Sequence, residues 1–298
     1  MNEPAAPGAT GSVMKGGPLT GSGGAAPAEE TPEQAARRKE AEEISGLLKE
    51  RKFDEAEKRL KAEIEKNPDD SGAWYFLAGA YRLQDKYEDA IVAYTKCAEL
   101  MPDYGDTYLR RGISWFHKGE YGIAVFDFEQ AGSLNYFDPR PELWKGLAIA
   151  SLDQHRLAIS AYSTAIKYEA RFVPAYVNRG LSYMIMDDYL AAIINFNEAI
   201  RLEPQNPEHY FLRGIAFVKS RQDDRAVVSY DAAIRLDPKY ADAYLNRSIC
   251  LARQGKTAEA ARDRETALKL KPALASIDPN ARPVPLPQSS DLFRAPLR

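Results

Sequence analysis

The sequence predicts an all-α protein assembled from tandem helix-turn-helix units, and two observations predict it. Between residues 33 and 274, stretches rich in Glu, Lys, Ala and Leu place apolar side chains three and four apart, the spacing of one helix face. Turn-forming breaks interrupt them at residues 67–70, 101–106, 203–207 and 237–240. The second observation is that the breaks keep a fixed distance. Pro204, Pro238 and Pro272 stand 34 residues apart, and Pro102 and Pro68 fall on the same grid, so the chain reads as a repeat array.

Seven frames follow: 37–70, 71–104, 105–138, 139–172, 173–206, 207–240 and 241–274. Their twentieth position is alanine throughout: Ala56, Ala90, Ala124, Ala158, Ala192, Ala226 and Ala260. Position 8 is small in six frames (Ala78, Gly112, Gly146, Gly180, Gly214, Ser248), and position 27 is small from Cys97 to Ala267. Small columns let helix backbones approach closely, and aromatic columns fill the space between pairs. Those columns are position 24 (Tyr94, Phe128, Tyr162, Phe196, Tyr230) and position 4 (Trp74, Tyr108, Tyr176, Tyr210, Tyr244).

This order of small and large residues resembles the tetratricopeptide repeat (TPR) family over residues 37–274. The resemblance implies a right-handed superhelical solenoid in which the first helix of each unit lines a concave groove and the second covers the convex side. No unit buries its apolar face alone, so neighbours stabilise one another. The end frames differ, with Ile44 and Glu63 at small positions in the first and Arg264 in the aromatic column of the last, as capping units would. The middle departs as well. Tyr136 and Ala170 stand where other frames have proline, and Glu142 stands in the aromatic column. Trp144 then either points into the groove or packs with Leu147 and Ala148, and the general habit of bulky aromatics favours packing.

Outside the frames, residues 1–32 form a Gly/Ala/Pro-rich arm with almost no large apolar side chain, and residues 275–298 a proline-rich tail. The expectation for both is disorder or a flexible, extended chain. The composition is 45% hydrophobic and 28% charged with a net charge of -3, which disfavours a phosphate-neutralising nucleic-acid reader. No run of about 20 apolar residues offers a membrane span. The first residues lack a signal-peptide pattern, and the expected location is the cytoplasm. Two distant cysteines, Cys97 and Cys250, make neither a disulfide framework nor a cysteine zinc site.

Candidate chemistry is sparse. His117, His155 and His209 fall in different units, and the paired acids Asp69–Asp70, Asp187–Asp188 and Asp223–Asp224 fall in turns, where carboxylates cap helices. Position 7 carries Arg111, Arg179, Arg213 and Arg247, with Asp127, Asn195, Ser229 and Asp263 sixteen residues later. That offset reads as an internal hydrogen-bond ladder between paired helices, with ligand capture as the other reading.

The resemblance assigns positions 2, 5, 6, 9, 12 and 13 to the groove. Position 5 holds Tyr75, Leu109, Leu143, Val177, Phe211 and Leu245; position 9 holds Ile113, Leu147, Leu181, Ile215 and Ile249. These apolar columns either seal first helices together or form a trough for a peptide. Position 6 varies most: Phe76, Arg110, Trp144, Asn178, Leu212 and Asn246. The expected function is a non-catalytic scaffold or adaptor, without cofactor or metal, that binds an apolar or amphipathic polypeptide segment in this groove. The alternative is a regulatory subunit of a separate enzyme or of a secretion or assembly complex; an RNA-binding helical repeat is less favoured by charge. Some members of the family clamp the acidic C-terminal peptides of heat-shock chaperones with Lys and Asn on one unit, Asn on the next, and Lys and Arg on a third. Around Asn178 those places hold Leu143, Leu147, Glu208 and Leu212, and before Asn246 they hold Phe211 and Ile215, so the clamp is missing. Limited proteolysis is expected to trim both arms and leave a core of roughly residues 35–275; protection of either arm would show that it docks.

Overall fold

Every frame closes its first helix in the same way. Its fifteenth residue takes a positive φ: Arg51 (60°), Asp85 (59°), Gly119 (88°), Asp153 (60°), Asp187 (61°), Arg221 (61°) and Gly255 (78°). The next residue then donates its N–H to the carbonyl five back, as in Lys86 to Tyr81 (3.0 Å), Asp188 to Tyr183 (2.9 Å) and Lys256 to Leu251 (2.9 Å). This is a left-handed helix cap that satisfies an orphan carbonyl and turns the chain sharply. Only two of the seven positions use glycine, so the hairpin geometry is imposed by helix packing even where the local backbone resists it.

The computed structural model describes residues 32–276. The expectations for the N-terminal arm and for the tail fall outside the described residues. Within them the chain is all α apart from one short 3-10 turn. The helix pairs are α1 (Pro32–Lys49) with α2 (Phe53–Lys66), α3 (Ser71–Leu83) with α4 (Tyr87–Leu100), and α5 (Gly105–His117) with α6 (Tyr121–Leu134). They continue as α7 (Pro139–Ser151) with α8 (His155–Tyr168), α9 (Val173–Ile185) with α10 (Tyr189–Leu202), α11 (Pro207–Lys219) with α12 (Asp223–Leu236), and α13 (Ala241–Arg253) with α14 (Thr257–Leu270). The 3-10 turn Pro272–Ser276 follows and sets Leu274 against Ala241, Leu245 and Ala267, covering the end of the last pair.

The chain divides into two compact units between Tyr136 and Phe137. The boundary falls in the first turn that lacks its proline, and Phe137 takes a positive φ (71°) outside the position-15 series. In the first unit, α1 to α6, the leading core comprises Ile44, Leu48, Ala56, Leu60, Phe76 and Leu77. Ile44 is therefore core and not a water-facing cap. It fills the space that a smaller Leu60, in place of an aromatic ring, leaves open. Tyr75, Ala78, Ala90, Tyr94 and Cys97 form the next layer. In the second unit, α7 to α14, each second helix before α14 packs on its own first helix and on the next one, and α14 packs on α13 and the 3-10 turn.

Inside both units the contact between paired helices is set by one fit. The alanines of position 20 are fully buried from Ala56 to Ala226, and the rings of Tyr94, Phe128, Tyr162, Phe196 and Tyr230 are buried beside them. Each later ring lies directly against the position-8 glycine of the partner helix. A Cβ at Gly180 would come within 2.8 Å of Phe196 Cε1, and one at Gly214 would overlap the Tyr230 ring. Trp144, Leu147 and Ala148 are all buried, the packed arrangement of the two open for α7.

The arginine column forms a ladder that reaches in two directions. Arg111 binds Asp127 on α6 (Nε–Oδ2 2.8 Å, Nη2–Oδ1 2.7 Å) and Thr95 on α4 (3.2 Å). Arg179 binds Asn195 (2.8 Å) and Ser163 (3.0 Å), and Arg213 binds Ser229 (3.2 Å) and Asn197 (2.9 Å). Arg247 binds Asp263 and Asp231, each at 2.7 Å. Each guanidinium also stands over the position-4 ring of its own helix, at 5.3 to 5.6 Å from Tyr108, Tyr176, Tyr210 and Tyr244. The fourth frame exchanges both members of this pair, and Lys145 and Glu142 bond to each other at 2.7 Å.

The fit at position 8 is testable. Gly214→Ala should cost about 1 to 3 kcal/mol through overpacking. Tyr230→Phe should cost nothing, because the Tyr230 hydroxyl is buried without a hydrogen-bond partner. Urea denaturation of both variants checks the pair, and an unchanged midpoint for Gly214→Ala would sink the packing account.

Candidate functional site

A site on this fold has to be built on one face of the first helices or in the turns. No group of three or more metal-ligating side chains gathers among the described residues. His117 is exposed and stacks on Tyr87 (ring centroids 5.1 Å apart). His155, the first residue of α8, lies 3.4 Å from Ser182 Oγ and 3.2 Å from Asp153. His209 is buried at the start of α11, where burial lowers its pKa. The turn acids act on backbone and neighbours: Asp70 accepts from the Ala73 N–H (2.9 Å), Asp188 from the Ala191 N–H (3.1 Å), and Asp224 from Gln254 (3.0 Å). Cys97 and Cys250 are buried, and burial pushes their thiols up to about 11 and about 12, so both stay protonated at neutral pH.

The sequence-predicted groove residues sit in both units. In the first unit, Tyr75, Phe76 and Leu109 are buried, while Arg110 and Ile113 are half-buried. Arg110 Nε donates to Asp106 Oδ2 (2.5 Å), the Tyr75 hydroxyl donates to the same carboxylate oxygen, and the guanidinium lies 5.4 Å from the Tyr75 ring centre. Burial holds Tyr75 protonated far above the usual phenol range, and the charge of Asp106 and the Tyr75 hydroxyl hold Arg110 ionised. Tyr104 packs edge-on against Tyr75, with its pKa raised to about 12 by burial.

In the second unit, Trp144, Leu147, Asn178, Leu181, Phe211, Leu212, Ile215, Asn246 and Ile249 are all buried. Of these, Phe211 holds position 5 and Leu147, Leu181, Ile215 and Ile249 hold position 9. Two of the nine are polar and occupy the same register on α9 and α13. Asn178 Nδ2 donates to the Pro174 carbonyl and Asn246 Nδ2 to the Asp242 carbonyl, each at 2.8 Å and one turn back. These bonds fix the amide orientation and leave both Oδ1 atoms buried without a partner. Periodicity singled out the two asparagines by their column. Their unmet acceptors depend on how the neighbouring helices cover them, which no spacing reveals. The Tyr75–Asp106–Arg110 cluster also joins α3 to α5 through a residue, Asp106, that the column reading passed over; an i,i+4 Asp–Arg pair on one helix was its only sequence signal.

Known proteins match this arrangement. The tetratricopeptide repeat family model matches residues 42–99 and 211–275, and a second model of the same repeat matches residues 173–206. Tetratricopeptide repeat-containing protein trd-1 of Caenorhabditis elegans is 28% identical over 129 residues, 42% of this chain and 16% of the relative. Hsp70-Hsp90 organizing protein 3 of Arabidopsis thaliana is 31% identical over 91 residues, 30% of this chain and 16% of the relative. The chain thus spans a small part of the length of these relatives. Among solved structures, a tetratricopeptide repeat protein from Parabacteroides merdae superposes with a TM-score of 0.59 at 19% identity, covering 77% of this chain and 91% of that one. YrrB, described as a TPR protein with an unusual peptide-binding site, superposes with a TM-score of 0.52 at 20% identity over 62% and 95%. At these identities the likeness is one of fold.

Proposed function

The chain belongs to the tetratricopeptide repeat family, and we propose that it is a non-catalytic scaffold that binds an apolar or amphipathic polypeptide segment along the first helices of its second unit. The observation that carries this reading is the pair of buried, unpartnered carbonyl oxygens of Asn178 and Asn246. An unpaired buried acceptor costs about 1 to 3 kcal/mol, a cost that packing alone would remove by placing leucine there, as α11 does with Leu212. Backbone N–H groups of a bound segment would complete both asparagines. Binding displaces the side chains that cover them, and the recovered hydrogen bonds offset that cost. The surroundings, Leu181, Phe211, Leu212, Ile215 and Ile249, suit apolar anchors and disfavour charge.

The same surroundings argue against an acidic chaperone-tail peptide. No lysine or arginine stands beside Asn178 or Asn246 at the registers a carboxylate clamp needs; Leu143, Leu147, Glu208, Leu212, Phe211 and Ile215 occupy them. An uncompensated carboxylate there would be costly to bury.

The double variant Asn178→Leu, Asn246→Leu separates binding from packing. Its melting temperature should hold or rise, because two orphan acceptors are removed. Capture of the polypeptide partner from the protein's own lysate, read by quantitative mass spectrometry, should fall by about tenfold or more. A labelled acidic chaperone-tail peptide should show no saturable binding. Undiminished capture by the folded double variant, or tight binding of the acidic peptide that Asn178→Ala abolishes, would refute the reading.

A further inference from the structure

The carbonyl oxygens of Asn178 and Asn246 lack backbone donors, and the chain itself carries a segment able to supply them. Two stretches lie outside the described residues, 1–31 and 277–298. The first offers only Met1, Val13, Met14 and Leu19 as large apolar side chains. The second, much the shorter way to the second unit, holds Ile277, Val284, Leu286, Leu292, Phe293 and Leu297. Phe293 is the one aromatic residue in either stretch.

Proline governs what this tail can donate and how far it reaches. Pro279, Pro283, Pro285 and Pro287 have no N–H and favour an extended chain of about 3.1 Å per residue. A chain in that form makes no internal hydrogen bonds, so its other N–H groups are available to a partner. The starting point is fixed, because Leu274 packs on Ala241 and Leu245 of α13 just before Ile277. Neighbouring helix axes stand about 8 to 10 Å apart, which separates α13 from α9 by roughly 20 Å and from α7 by roughly 30 Å. An extended run from Ile277 across the first helices then brings the N–H groups of residues 281–282 to Asn246 and those of residues 288–289 to Asn178. The same run carries Leu292 and Phe293 to α7, where Trp144 and Leu147 lie. Ala281, Arg282, Gln288 and Ser289 all keep the N–H that this register requires.

We propose that residues 277–293 fold back over the first helices α13 to α7 and occupy the polypeptide groove as an internal ligand. The inference rests on the peptide-binding reading and deepens it. A tethered segment acts at an effective concentration of about a millimolar, so an external polypeptide has to outcompete the tail or meet a chain whose tail is released. The tail also states the chemistry of the partner it holds off. That partner is an extended, proline-spaced segment with a Leu–Phe type anchor, the kind of chain that aromatic walls such as Trp144 and Phe211 receive.

Hydrogen exchange of the full chain, read by mass spectrometry over residues 277–298, tests this. The amides of residues 281–293 should exchange at least about tenfold more slowly than in a synthetic peptide of residues 277–298, and equally at low and high protein concentration. Leu292→Asp with Phe293→Asp should release them, and so should Asn178→Leu with Asn246→Leu, while the circular dichroism spectrum stays helical. The labelled synthetic peptide should bind the Leu292→Asp, Phe293→Asp chain saturably, and the wild-type chain at least about tenfold more weakly. Composition alone predicts the opposite, a tail that exchanges as freely as the peptide. That result, protection that survives either double variant, or a peptide that ignores the chain with the altered tail would overturn the proposal. Protection that grows with protein concentration would overturn it in favour of the tail of a second copy. A freely exchanging tail, in a chain whose partner capture still falls with Asn178→Leu, Asn246→Leu, removes the internal ligand alone; if that capture also stays undiminished, the groove reading falls with it.

Discussion

The close approach of the first and second helix within each repeat is the constraint on which the rest depends. Alanine at position 20 and a small residue at position 8, glycine in the third to sixth repeats, let the axes come near enough for one aromatic ring to fill the gap. Packing density leaves no slack in such an arrangement, so volume must be conserved pair by pair. The first repeat shows this by exchanging the two sizes: Ile44 takes the small position and Leu60 the ring position, and both are buried in one cluster. Because the fit sets the distance and angle of the hairpin, it also forces the turn. Asp85, Asp153 and Asp187 accept a left-handed backbone that glycine takes freely at Gly119 and Gly255.

Stacking of one hairpin on the next then rests on the arginine ladder as well as on apolar contact. Each guanidinium binds one group within its own repeat and one on the repeat before, while its stem and charge lie over a tyrosine of its own helix. Arg111 has one carboxylate acceptor, Asp127, beside the Thr95 hydroxyl, and Arg247 has a carboxylate on both sides, but the acceptors of Arg179 and Arg213 are neutral. Arg247 is accordingly raised well above its ordinary range, chiefly by the hydrogen bond to Asp263, whereas desolvation lowers Arg179 and Arg213. A planar donor with five N–H groups can serve two helices at once, which a lysine cannot do with the same geometry. Lys145 duly drops out of the series and pairs with Glu142 on its own helix.

The fold was legible because its determinants are local in sequence and repeated. A column of seven alanines and prolines 34 residues apart define the hairpins directly, and the sixteen-residue offset from Arg247 to Asp263 reports helix pairing within one repeat. The second partner of each arginine was harder to see. Thr95, Ser163 and Asn197 precede their arginine by sixteen residues and share no charge or size that would mark them as a column. Depth was illegible for a different reason. The column reading identified Leu147, Leu181, Ile215 and Ile249 as apolar on one side of the first helices, but their burial depends on how far neighbouring first helices close over them. Hydrophobic periodicity reports direction, not depth.

Recognition in such an array has to use what packing leaves over. Positions 8, 20, 24 and 27 are occupied by the helix–helix fit and position 7 by the ladder, and most side chains at positions 5 and 9 are buried. In the second unit, position 6 carries the polar exceptions of that layer, Asn178 and Asn246, and their unmet oxygens sit among residues that are otherwise apolar. Position 22 is the least constrained by packing. It is charged in the first and last repeats, Lys58 and Arg262, and aliphatic or aromatic in four of the five between, Val92, Phe126, Ile194 and Val228. A solvent-facing helix position that serves only solubility is most cheaply filled by a charged residue, as both end repeats do. The apolar choice in the inner repeats leaves Val92, Phe126, Ile194 and Val228 exposed on the outward side of the second helices.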